Sequence, residues 1–104
     1  MATTDSSWTF FTNHAHVLAC LAKDSHLRLR DVADLVGITE RATQRIVADL
    51  ESAGIIMRRR QGRRNIYEIN AQQPLRHPIE NHRTVANMLD MIGSGNPAKK
   101  QQQD

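Results

Sequence analysis

The chain has 104 residues, 39% hydrophobic and 24% charged, with a formal net charge of +3. That length holds one compact domain with a modest core and leaves no room for a second. Cys20 is the sole cysteine, which excludes an intrachain disulfide or a multi-cysteine zinc cage and suits a reducing compartment. With no long apolar run, and no basic start followed by an apolar stretch, the expectation is a soluble, cytoplasmic chain without membrane contact.

Residues 1–11 read as an N-terminal arm. It opens small and polar and then brings Trp8, Phe10 and Phe11, three of the four aromatic residues, which are expected to anchor it by burial. No basic residue lies among them, which argues against a nucleotide-stacking platform. The first helix is expected from Thr12 or Asn13, either a suitable N-cap, to Lys23. Ala15, Leu18 and Ala22, with Phe11 just upstream, recur at helical spacing as an inward stripe, and Val17, Cys20 and Leu21 form a second apolar flank. Two flanks call for two packing partners: the domain core, and either a C-terminal helix or a second subunit.

The stretch DVADLVGITERATQRIVADLESAGII, residues 31–56, carries the most information. Val32, Leu35 and Val36 mark the inner face of a short helix, Ala33 lets a second helix approach closely, and Gly37 can take the left-handed conformation that ends it. Ile38 points back inward. Thr39 is a good N-cap for the next helix, whose stripe is Ala42, Ile46, Val47, Leu50 and Ala53, and Gly54 stops it. Two short helices about a tight glycine turn form a helix-turn-helix. Arg41, Gln44, Arg45 and Ala48 then project from the face opposite the stripe. Their chemistry suits the major groove: arginine can bond guanine O6 and N7 together, glutamine can do the same for adenine, and Ala48 can touch a thymine methyl. Glu40 suits the helix dipole and can alternatively accept from a cytosine amino group. The plainer reading of this face is a solvated helix with intrahelical pairs such as Arg45 with Asp49.

The basic excess is concentrated beyond that helix. Residues 1–57 carry five basic and seven acidic side chains, residues 58–64 add five arginines, and the remainder balances four against four. Like charges packed so closely repel, which favours a polyanionic partner over a merely solvated run. Gln61-Gly62 can make a tight turn, and Asn65, Tyr67 and Ile69 alternate along a returning strand, so Arg58, Arg60, Arg63 and Arg64 are expected near the tip of a hairpin. From there arginine reaches phosphates and the minor groove.

In the order of D-V-A-D-L-V-G-I-T, R-A-T-Q-R-I-V-A-D-L-E-S-A-G-I-I and G-R-R-N-I-Y-E-I, the chain resembles the winged helix-turn-helix transcription regulators of the MarR-like and ArsR-like group, over residues 13–70. The resemblance implies a winged helix-turn-helix domain over residues 12–72, mainly α with a small β-hairpin wing. It also implies a recognition helix in the major groove of double-stranded DNA, and a homodimer on a two-fold symmetric operator. Carried over by position, Thr39, Arg41, Gln44 and Arg45 are its recognition-helix contacts and Arg63 and Arg64 its wing contacts. Arg30 departs from the pattern, in which Ser or Thr commonly caps the first helix of the motif.

In residues 73–93, Pro78 fits the first position of a C-terminal helix and Gly93 its end, with Val85, Leu89 and Ile92 as a stripe flanked by Ala86, Met88 and Met91. This helix either contributes to dimerisation, the favoured reading, or folds back as a cap on its own core. Residues 94–104, including Lys99 and Lys100, have the composition of a disordered tail. His16 and Cys20 stand at i,i+4 and His77 and His82 lie further on, but no HxxxH or CxC pattern occurs, so no metal or cofactor is expected. With no glycine-rich phosphate loop and no nucleophile in a recognisable setting, an enzyme is not expected either. The leading function is a DNA-binding transcription regulator. The alternatives are a winged-helix module for protein or RNA contacts, and a repressor responding to a metal or small-molecule effector.

Overall fold

The computed structural model describes residues 8–93. Helices α1 (Asn13–Lys23), α2 (Leu29–Val36) and α3 (Glu40–Ser52) precede strands β1 (Ile56–Gln61) and β2 (Arg64–Ile69), and α4 (Val85–Gly93) follows. The expected tail at 94–104 lies outside the described residues. Among the described residues, no helix is long and apolar enough to cross a membrane.

Helix α1 buries Ala15, Val17, Leu18 and Leu21 and packs against α2, α3 and α4. Ala22, expected inside, is exposed; the buried surface turns toward Val17 and Leu21 instead. Helix α2 begins at Leu29, with Arg28 in the extended N-cap position and no side-chain cap bond, so Arg30 sits in its first turn rather than before it. Val32 and Ala33 are buried, and α3 packs against this side, where the small Ala33 permits a close approach. Leu35, expected on the inner face, is 67% exposed. A helix this short buries one narrow stripe, centred between Val32 and Ala33, and at about 100° per residue Leu35 falls roughly 110° from its middle.

The turn between α2 and α3 depends on Gly37 at φ +88, which lets the amides of Gly37 and Ile38 both reach the Ala33 carbonyl, at 2.8 and 3.0 Å. Thr39 then caps α3: its hydroxyl oxygen accepts from the Ala42 amide at 3.0 Å. Thr43, Ile46, Val47 and Leu50 are the buried residues of α3. Thr43 lies outside the expected stripe. It is tolerated at zero exposure because its hydroxyl donates to the Thr39 carbonyl at 3.0 Å. Gly54, at φ +75, ends the helix as expected.

The hairpin pairs antiparallel from Ile56 with Ile69 to Gln61 with Arg64. The turn is therefore Gly62-Arg63, one residue later than expected, with a positive φ at Gly62 alone, the pattern of a two-residue II′ turn. Tyr67 is buried while Asn65 and Ile69 are half-buried on the same face, so the expected alternation holds.

The C-terminal segment departs most from expectation. Pro78 does not open a helix; α4 begins at Val85. The Leu75 amide donates to the Arg83 carbonyl at 2.9 Å and Pro74 bridges to Thr84, closing the intervening residues into a loop. Within it, the His77 ring nitrogen accepts from the Ile79 amide at 3.0 Å and the His77 carbonyl from the Glu80 amide at 2.8 Å, which closes a turn around Pro78. Helix α4 starts where a reciprocal cap becomes available: Asn87 donates its amide to the Thr84 hydroxyl at 3.2 Å, and its side-chain oxygen accepts from the Thr84 amide at 3.0 Å. Val85 and Met88 then bury against α1, so α4 folds back on its own chain. Trp8 and Phe10, expected to be buried, are 68% and 88% exposed and stack edge-on with centroids 5.0 Å apart; only Phe11 packs on the core.

Candidate nucleic-acid interface

The buried stripe of α3 fixes its opposite face in solvent. Arg41, Gln44, Arg45 and Ala48 are all exposed there, and among the described residues no hydrogen bond or ion pair holds the first three side chains. The intrahelical pair of Arg45 with Asp49 does not form. Asp49 is taken instead by His14 of α1, with Nε2 and Oδ2 at 2.8 Å. Thr39 is exposed at the α3 N-terminus with its oxygen engaged as the cap and its hydroxyl hydrogen still able to donate.

The five arginines of the hairpin have different situations. Arg58 forms a two-pronged pair with Glu51 near the end of α3, Nε to Oε2 at 3.0 Å and Nη2 to Oε1 at 2.8 Å. The guanidinium's hydrogen bonds hold the Glu51 carboxyl below its usual range and raise Arg58 further. Arg59 pairs with Glu68 at 3.2 Å. Arg64 donates to the His26 carbonyl in the loop between α1 and α2. Arg60 and Arg63 are exposed and, among the described residues, carry no such bond.

These contacts also brace the hairpin. Beside the Arg64 bond, Gln61 Oε1 lies 3.2 Å from His26 Nε2, and the Tyr67 amide donates to the Ser25 carbonyl at 3.4 Å. The tip is thus tied to the α1–α2 loop and the base to α3. Burial pushes the Tyr67 hydroxyl above its ordinary range, as befits a ring serving as the hairpin's core anchor.

Between hairpin and helix lies an open cleft of about 310 Å³. Gln44 and Glu40 line it from α3, Arg63, Arg64 and Asn65 from the hairpin, and Arg28 from the residue before α2. Of the residues singled out in the sequence for base or phosphate contact, the cleft brings together Glu40, Gln44, Arg63 and Arg64. Arg41, Arg45 and Arg60 stand exposed outside its lining, and Arg58 is turned to Glu51. Sequence reasoning misses Arg28, because recognising it requires knowing that α2 begins at Leu29 and that the hairpin folds beside that start.

Residues 12–57 match the winged helix-turn-helix DNA-binding family. The fold is a winged helix-turn-helix with a C-terminal helix. Helices α2 and α3 are its helix-turn-helix and β1–β2 its wing. The match ends at Met57, so the arginine-bearing wing is placed by the structure rather than by the family. No curated protein and no solved structure matches the chain.

Among the described residues, no group of three or more His, Cys, Asp or Glu comes together. Cys20 is half-buried, and burial pushes its thiol up, away from the reactive thiolate.

Proposed function

We propose that the protein is a transcription regulator that binds double-stranded DNA sequence-specifically, with α3 in the major groove and the wing on phosphates and the minor groove. The observation that carries this reading is the shared cleft, where Gln44 of the recognition helix and Arg63 and Arg64 of the wing face one open space. Thr39, Arg41, Gln44 and Arg45 contact the operator from α3, the latter three being unbound side chains at the exposed helix face. Arg60 and Arg63 meet phosphates, with Arg64 beside them after exchanging or sharing its carbonyl acceptor. Arg58 contacts DNA only by leaving Glu51, so its main part is to brace the wing. Arg28 adds a further positive charge to the cleft. The order of the motifs favours a MarR-like or ArsR-like regulator acting inside the cell.

The protein acts as a homodimer, which places two recognition helices on a two-fold symmetric site. Its support is the apolar surface that intrachain folding leaves open on α4, where Met91 is exposed. Selection of bound duplexes from a random DNA library tests the function. An enriched motif with two related half-sites is expected; equal retention of random DNA and duplex RNA of the same length would refute it.

A further inference from the structure

A second opening shares no lining residue with the cleft beside the wing. It lies between α1, the end of α3 and residues 74–88, with a volume of about 360 Å³. That is within the range of sites that take a small organic molecule, roughly 300–1,000 Å³. Leu18, Leu50, Ile55, Val85 and Met88 supply apolar walls, and Phe10 and Phe11 supply two rings. Phe10 is 88% exposed, an arrangement that leaves most of its π surface without a protein partner beyond the edge contact with Trp8.

The charged groups decide what chemistry fits. Asp49, Glu80, Arg76 and His14 stand in the lining, so two carboxylates share it with one guanidinium and one imidazole. Asp49 gives one oxygen to His14 and keeps the other without a bond, while Glu80 and Arg76 have no side-chain partner among the described residues. An anion entering here meets two carboxylates against one guanidinium, and a neutral molecule offers neither carboxylate a counter-charge. A compact cation with an apolar body is attracted by both carboxylates and by the faces of the phenylalanine rings.

We propose that this cavity is a binding site for a small lipophilic cation, such as a quaternary or protonated amine on an aromatic or aliphatic frame, held by Phe10, Phe11, Asp49 and Glu80. The site goes beyond the DNA reading and does not depend on it.

Calorimetric titration of the full, DNA-free chain tests the proposal with three probes of similar size: benzyltrimethylammonium, neutral benzyl methyl sulfone and anionic benzylsulfonate. The cation binds tightest, by roughly five- to thirtyfold over the sulfone, and the sulfonate binds weakest. Trp8, the sole tryptophan, touches Phe10 and reports the same midpoint by fluorescence. Glu80→Gln and Asp49→Asn each reduce the preference for the cation and leave the sulfone unchanged. Glu80 is exposed and unpartnered, so its variant tests the charge without disturbing the fold. Absence of binding by the cation at millimolar concentration, equal or tighter binding of the sulfone or sulfonate, or an unaltered preference in both variants overturns the proposal. Because DNA is absent throughout, failure of the operator reading leaves these outcomes unaffected.

Discussion

Replacing Arg60 and Arg63 together by Ala separates phosphate attraction from sequence reading. Both side chains are exposed and unbound among the described residues, so their removal breaks no internal contact and leaves the wing's ties through Arg58, Gln61 and Arg64 in place. Each phosphate contact on B-DNA contributes about 0.9 to the slope of log affinity against log salt. Two lost contacts therefore flatten the slope by about 1.8 per subunit, and by about twice that for a dimer on two half-sites. Between 50 and 200 mM salt, the range in which such effects are commonly read, the smaller figure means that the wild type loses roughly twelvefold more affinity than the variant. Fluorescence anisotropy titrations on the selected site and on random duplex, across that salt range, measure both slopes. The loss must be similar on the two DNAs. Arg58→Ala serves as the contrast: because Glu51 already holds that guanidinium, its slope changes far less. An unchanged slope in the double variant, or an equal flattening by Arg58→Ala, refutes the division of the wing arginines into free and braced ones.

Gln44→Ala or Arg45→Ala costs roughly 1–3 kcal/mol on the selected site and much less on random duplex, as competition binding shows; equal losses on both would remove these residues from base reading. Glu51→Gln lowers stability by at most about 1 kcal/mol at neutral pH, since the pair with Arg58 is partly exposed and screened. The folded-state pKa of Glu51 is depressed, so this contribution is fully present above the ordinary carboxylate value of about 4.3 and fades as pH falls through the lower folded value. Urea unfolding in an acid series therefore shows wild type and variant converging at low pH, and a constant gap would contradict the assignment. Met91→Glu places a charge on the exposed apolar side of α4 and shifts sedimentation from dimer toward monomer while leaving the melting of the monomer nearly unchanged; a monomeric wild type at micromolar concentration rules out the proposed assembly. Val85→Ala, at a fully packed position between α4 and the core, destabilises the fold by about 1–3 kcal/mol in the same urea assay.

The course of the chain from α1 to β2 is legible in the sequence because its signals act over a few residues. Gly37 and Gly54 take positive φ where a helix must end, the Thr39 hydroxyl meets an amide three residues on, and Tyr67 alternates with its neighbours along a strand. The exposed face of α3 follows from the same periodicity, so helical spacing alone suffices to choose Arg41, Gln44 and Arg45. The C-terminal segment is different: Pro78 and a local pattern suggest a helix there, whereas the bridge of Pro74 with Thr84 and the cap of Thr84 with Asn87 decide where it starts. The T-x-x-N spacing is present in the sequence but competes there with proline as a signal. What no local pattern contains is which charges remain available. Arg58 and Arg60 are two residues apart on one strand, yet one is held by Glu51 and the other is not; Asp49 pairs with His14, 35 residues away, rather than with Arg45 on its own helix. Arg64 is tied to a carbonyl 38 residues distant. Periodicity tells which side of an element meets solvent, but the partner a long polar side chain finds there depends on which distant segment the packing of the core brings within about 3 Å of it.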